Sequence, residues 1–272
     1  MIEKDLDTGT DQLLAVKRDG VGIVTFNRPD ARNALSSELS PALRSVILQM
    51  GIDQEVGAVI ITGAGDTFCA GGDVKGMAIN KGPKLSVEGR VAKLVDGQRK
   101  LTGALVEIRK PVIAALPGAA VGAGLSIALA CDIRIGAASA FVTTGYARVG
   151  LSGDYGISSL LTRVIGNSRA RELMYTAERL DSARCLELGI FSRVVPDEDL
   201  QKIAFDLAKQ LAKGPRRALA LMKDNLDEAL EGDFRKSLDG EAPRLIECMQ
   251  SSDHKEAVNA FIEKRQPNFG QS

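Results

Sequence analysis

From Pro111 to Cys131 the chain carries no charged residue, and its apolar content is mostly alanine. An uncharged run of this length either spans a membrane or lies buried inside a protein. Pro117, Gly118, Gly122 and Gly124 break it up, which disfavours one continuous spanning helix. A buried strand at Val112–Leu116, a turn at Pro117-Gly118 and a Gly/Ala-rich helix over about Gly122–Ala130 fit better. Composition agrees with closely packed backbone layers: there is no Trp, aromatics make up only 4%, and 28 residues are Gly.

The elements around this segment alternate. Leu13 to Lys17 and Val21 to Phe26 are apolar runs joined by Arg18-Asp19-Gly20, a hairpin signal. Ser36 is placed to cap a helix running to about Met50, with Glu38 in its first turn. Val56 to Thr62 is expected as a buried strand, and Leu85 to Arg109 as a helix interrupted at Gly89, Gly97 and Gly103. Short strands follow at Ile133–Ile135 and Ala140–Val142. A helix over Tyr155–Ile165 has Asp154 placed as its cap, and a second helix covers Ser168–Thr176. From Asp197 to Lys264 the periodicity is almost purely helical. The fold class is α/β, with residues 1–196 as core and residues 197–272 as an all-helical module. No short sequence repeat is evident.

Several function classes are disfavoured. Lys plus Arg and Asp plus Glu both number 35, so the formal charge is zero, unlike a nucleic-acid or polybasic membrane binder. Cys69, Cys131, Cys185 and Cys248 show no metal spacing and read as reduced intracellular thiols. The single His254 excludes a multi-histidine metal centre. Met1 to Asp11 is acidic and polar, unlike a signal peptide, and a cytoplasmic location is expected.

Four segments can carry chemistry. Phe68-Cys69-Ala70-Gly71-Gly72-Asp73-Val74-Lys75 can bring backbone N–H groups close to a ligand, although a tight turn accounts for the same residues. Pro117 to Gly124 enters a helix at its positive end, without the ending of a phosphate loop or the spacing of a dinucleotide fingerprint; close helix packing is the competing explanation. Gly124-Leu125-Ser126-Ile127-Ala128 imitates a nucleophile elbow with His254 downstream, but Ser126 falls inside the expected helix. Gly150 to Gly156 puts the Asp154 carboxylate in a Gly-rich loop at a helix start, where a plain N-cap is the alternative.

Taken in order, these segments resemble the enoyl-CoA hydratase/isomerase (crotonase) superfamily. The match begins at Val24-Thr25-Phe26-Asn27-Arg28-Pro29 with Arg32-Asn33-Ala34-Leu35, and continues through Ile61-Thr62-Gly63 and Phe68–Asp73. Lys110–Ala115, Gly122-Ala123-Gly124, Ala130–Arg134 and Ala257–Arg265 complete it. The resemblance implies a spiral of ββα units and a C-terminal helical module that builds homotrimers, usually paired into homohexamers. It also implies a coenzyme A thioester substrate, with no metal and no permanently bound cofactor. By position, the Gly72 and Ala123 N–H groups would hold the thioester oxygen. Arg28, Ala31, Ala34, Ala70 and Asp73 would line the nucleotide end, and Phe261 and Lys264 would reach a neighbouring subunit's ligand.

Departures from the family pattern bear on the reaction. The two glutamates of the familiar hydratase are replaced by Ser126 and Tyr146, neither of which ionises usefully near neutral pH. Asp154 stands where dienoyl-CoA isomerases and an aroyl-CoA dehalogenase of the superfamily carry a catalytic aspartate. Family frequency makes an enoyl-CoA hydratase the expected function, with Asp154 as acid/base and Tyr146 or Tyr155 orienting water. Double-bond isomerisation through one acid is the alternative. Thioester or C–C bond hydrolysis, and a catalytically silent CoA-binding homologue, stay open as further alternatives.

Overall fold

The computed structural model describes residues 3–73 and 85–270. The chain enters as an antiparallel meander of β1 (Glu3–Asp5), β2 (Leu13–Arg18) and β3 (Val21–Phe26). The expected hairpin is present, and Asp19 (φ 51°) and Gly20 (φ 82°) supply the two left-handed residues that such a tight turn needs. Helix α1 (Leu39–Ile52) follows, later than expected, although Ser36 Oγ still accepts the Leu39 N–H at 2.9 Å.

A unit then repeats: one strand joins a large sheet, the next joins a small sheet, and helix follows. The first unit is β4 (Ala58–Gly63), β5 (Thr67–Cys69) and a helical run of α2 (Val87–Gln98), a π-helical turn (Arg99–Gly103) and α3 (Ala104–Glu107). The second is β6 (Val112–Leu116), β7 (Ala119–Val121) and α4 (Ala123–Ala130). The third is β8 (Ile133–Ala137), β9 (Phe141–Thr143), a 3₁₀ turn (Tyr146–Val149), α5 (Ile157–Ile165) and α6 (Asn167–Thr176). A closing turn adds β10 (Leu180–Asp181), α7 (Ser182–Glu187) and β11 (Arg193–Val195).

The large sheet has the order β1-β2-β3-β4-β6-β8-β11 and is parallel from β3 onward. The small sheet runs β10-β9-β7-β5, with β9, β7 and β5 parallel. Strands β4 and β6 are buried along their whole length, which is why they are continuous apolar runs in the sequence. Pro111 to Cys131 resolves into β6, β7 and the fully buried α4, and no described helix is long and apolar enough to cross a membrane.

Three local expectations are corrected. Gly89, Gly97 and Gly103 do not break the run from Val87 to Glu107, which stays helical and only widens into the π turn. Helix α5 starts at Ile157, because Tyr155 (φ 51°) and Gly156 (φ 77°) lie outside helical space. Asp154 does not cap α5 with its side chain; only its carbonyl takes the Ile157 N–H, at 3.2 Å.

The helical stretch after residue 197 packs in two ways. Helix α8 (Leu200–Ala212) lies against β3, β4, β6 and β8 through Leu200, Ala204, Ala208 and Ala212, one side chain per turn. Helices α9 (Arg216–Ala229), α10 (Phe234–Gln250) and α11 (Ser252–Ile262) pack chiefly on one another.

Candidate functional site

The site grows from close approaches between the second unit and the first. Gly124, in the first turn of α4, lies so close to Cys69 at the end of β5 that a Cβ there would overlap the Cys69 carbonyl. Gly71 (φ 88°) completes the approach: a Cβ on it would stand 2.8 Å from Val121 O and 3.5 Å from Ala123 N. The Gly71-Gly72 loop is thus laid against the N-terminus of α4. Gly72 bridges to Leu35, with Leu35 N–H donating to Gly71 O at 2.8 Å and Asp73 N–H donating to Leu35 O at 3.2 Å. Neither the Gly72 nor the Ala123 N–H finds an acceptor among the described residues. Ala123 is the first residue of its helix, where N–H groups have no intrahelical partner and the helix dipole favours negative charge.

Ser126, Tyr146 and Asp154, widely spaced in sequence, meet beside this loop. The Tyr146 hydroxyl donates to Asp154 Oδ1 at 2.7 Å and lies 3.5 Å from Ser126 Oγ. Ser126 Oγ, on a fully buried side chain, reaches Asp154 O at 3.2 Å and Gly122 O at 3.3 Å. A Cβ on Gly122, the residue before Ala123, would sit 3.7 Å from the Tyr146 ring. The carboxylate cluster therefore adjoins the end of α4 that carries the unpartnered N–H.

Burial raises the Asp154 pKa above the usual carboxylate value, and the Tyr146 hydrogen bond only partly offsets this. Burial likewise raises the Tyr146 phenol, so it stays protonated and serves as a donor. Cys69 is pushed up to about 12 by complete burial, which leaves it an inert thiol in the floor. One ionisable acid, one phenol and two free backbone N–H groups form a set that can move a proton while holding an oxyanion.

A second group of expected residues gathers on the adjoining loops. Arg28 pairs with Asp73 at 3.1 Å and donates to Ala34 O at 2.5 Å, while Ala70 N–H donates to Arg32 O at 3.0 Å. Ala31, Ala34, Ala70 and Asp73 thus share one strip with Arg28. Asn33, of the Arg32-Asn33-Ala34-Leu35 segment, holds that strip together. Its buried amide donates to Ala64 O and Thr67 O at 2.9 and 2.6 Å, and its Oδ1 accepts the Arg28 N–H at 2.9 Å.

Phe261 and Lys264 are not brought to this strip: both are exposed at the end of α11, and Phe261 keeps 85% of its surface in water. Val74 and Lys75 lie outside the described residues, as does the Gly76–Lys84 part of the segment expected to shape an acyl pocket. The nucleophile-elbow likeness fails on geometry, since Ser126 is helical and bonded to Gly122 and Asp154 carbonyls, and His254 is exposed on α11. Sequence reasoning missed Gln98, the last residue of α2, whose Oε1 accepts the Tyr155 N–H at 2.5 Å. No local motif marks it.

Comparison with known proteins identifies the family. The family model described as Enoyl-CoA hydratase/isomerase matches residues 16–272. A short-chain-enoyl-CoA hydratase of Clostridium acetobutylicum is 34% identical over 250 residues, covering 92% of this chain and 94% of that protein. The 1,2-epoxyphenylacetyl-CoA isomerase of Escherichia coli is also 34% identical, over 94% of this chain and 97% of its own. The crystal structure of an enoyl-CoA hydratase from Bacillus anthracis superposes with a TM-score of 0.88 at 30% identity, covering 96% of this chain and all of that one. The ββα spiral, the glycine-built junction at α4 and these matches together make the chain a member of the enoyl-CoA hydratase/isomerase family.

Proposed function

We propose that the chain hydrates an enoyl-CoA thioester, with Asp154 as the acid/base and the Gly72 and Ala123 N–H groups as the oxyanion hole. The observation that carries this is the Asp154 carboxyl, raised in pKa by burial and tied to Tyr146 at 2.7 Å beside the N-terminus of α4. The ionised carboxylate takes a proton from water as the water oxygen bonds to C3 of the enoyl group. The C2–C3 π electrons move toward the thioester, and the negative charge on its oxygen falls to the two N–H groups. The proton held by Asp154 then passes to C2, which restores the carboxylate. An oxyanion-hole donor is worth about 2.7–4 kcal/mol in such a step. A raised pKa suits the role, because the group must both take and return a proton.

Isomerisation is favoured by one specific observation: with Ser126 and Tyr146 as its neighbours, Asp154 is the lone carboxylate of its cluster among the described residues. One acid suffices to carry a proton between two carbons through the same enolate. The coenzyme A portion is assigned to the strip of Arg28, Ala31, Ala34, Ala70 and Asp73. Phe261 and Lys264 are assigned to a ligand on a neighbouring subunit of a homotrimer or homohexamer. The exposed apolar side chains Met222, Leu226, Leu238, Leu245 and Ile246 on α9 and α10 support such an assembly, built by the module from residue 197 onward.

The test is Asp154→Asn, assayed for hydration of a 2-enoyl-CoA thioester that the parent turns over. Asparagine keeps the shape and removes the base, so kcat is expected to fall by about 10²–10⁴. Undiminished turnover removes Asp154 from the mechanism.

A further inference from the structure

We propose that Gln98 is a positioning residue for the Asp154 carboxylate, a role that rests on the acid/base assignment above. Asp154 O and Tyr155 N belong to one flat peptide unit. Ser126 Oγ, from α4, lies 3.2 Å from its oxygen, and Gln98 Oε1, from α2, accepts its N–H at 2.5 Å. The unit is thereby gripped on opposite edges by side chains from two different helices. Without the grip on the N–H edge the unit is held at its carbonyl alone, by Ser126 Oγ and the Ile157 N–H, and can pivot about that edge, which would swing the Asp154 side chain away from Tyr146.

That grip matters here because the backbone is held where few residues with a Cβ reside. Tyr155 has φ 51° and Gly156 φ 77°, so the loop reaches α5 through two consecutive left-handed residues. Gln98 sits at the junction of α2 and the π turn Arg99–Gly103, a distortion that occurs often at functional sites. The preceding residue is Gly97, and a Cβ there would stand 3.0 Å from the Arg44 guanidinium of α1. Helix α2, α1 and the Asp154 loop therefore meet at one point.

Among the described residues, the titratable and charged groups around the carboxyl are few. Tyr146 bonds to it directly, and Tyr155 follows it on the same loop, with Arg44 of α1 and Cys69 of β5 near Tyr155. The facing residue of α4 is Ser126, which is neutral. A shift in the titration of Asp154 on changing Gln98 thus reports on how the carboxyl is held.

The experiment compares Gln98→Leu, Gln98→Glu and Asp154→Asn for kcat, KM and the acid limb of the kcat/KM profile. Gln98→Leu removes the acceptor. Its kcat is expected to fall about 10- to 100-fold with KM changed less than about threefold. Its acid limb moves to higher pH, because Asp154 loses the Tyr146 hydrogen bond that lowers its pKa. Gln98→Glu restores an acceptor to the Tyr155 N–H and is expected to recover most of the lost kcat. Gln98→Leu matching the parent in kcat and acid limb, while Asp154→Asn is inactive, overturns the role of Gln98 alone. Equal losses in the Leu and Glu variants with an unmoved acid limb mark a merely structural residue and also overturn it. Full activity in Asp154→Asn and Gln98→Leu alike overturns the base assignment together with this one.

Discussion

Two opposing effects act on the Asp154 carboxyl, the proposed acid/base. Burial disfavours the ionised carboxyl, while the Tyr146 hydroxyl favours it, and burial has the larger effect. In Tyr146→Phe the favourable part is removed, so the Asp154 pKa rises further. Because the base must be ionised to act, the acid limb of kcat/KM is expected to move to higher pH, read from a pH–rate profile. An unmoved limb would mean that the phenol does not hold the base. The stability linkage has a definite sign as well. The folded-state value lies above the ordinary 3.8, so the carboxyl's contribution to stability is intact below 3.8 and is lost as pH rises through the folded value.

At the level of elements, the site depends on how closely α4 can approach β5. Gly124→Ala puts a methyl group into the Cys69 carbonyl, and backbone on both sides has to move. A cost of about 1–3 kcal/mol is expected, seen as a lower Tm in thermal unfolding. Turnover should also fall by about tenfold or more, since the Ala123 N–H moves with the helix. A variant of parental Tm and activity would show that this contact does not set the site. The same close approach explains what was legible in the sequence. Gly71, Gly122 and Gly124 stand out because bare backbone is needed there, and the buried strands β4 and β6 stand out as apolar runs. A side-chain cap by Asp154 is the natural expectation from its place before a helix, and the structure departs from it because the helix starts three residues later. The left-handed Tyr155 and Gly156, which delay the helix, leave no mark in the sequence apart from the glycine. Gln98 could not be read at all, since its partner N–H is brought to it by the winding of the third unit over the first. The repeated ββα unit is equally hidden: each copy follows its two strands with different helices, so the repetition is one of topology and leaves no sequence period.

For the whole molecule, surface area bears on assembly. The chain exposes 15094 Å², against about 11,000 Å² for a compact monomer of its 28.9 kDa mass. Helices α9 and α10 leave large apolar side chains exposed, and α9 is tied to the core by polar anchors. Lys223 pairs with Asp132 at 2.8 Å, and Arg109 pairs with Asp224 and Asp227 at 2.9 and 2.7 Å. Sedimentation is expected to give three or six times 28.9 kDa, and a concentration-independent monomer would refute the assembly. In the proposed reaction, one carboxylate beside two backbone N–H groups adds water to an enoyl-CoA thioester. The most direct measurement is mass spectrometry of 2-enoyl- and 3-enoyl-CoA thioesters incubated with the protein in D₂O. Hydration is expected to add one water to a 2-enoyl substrate and leave a non-exchangeable deuterium on the carbon next to the thioester. A shifted double bond with deuterium uptake and no added water would contradict hydration in favour of isomerisation, and thioesters unchanged across the panel would contradict both.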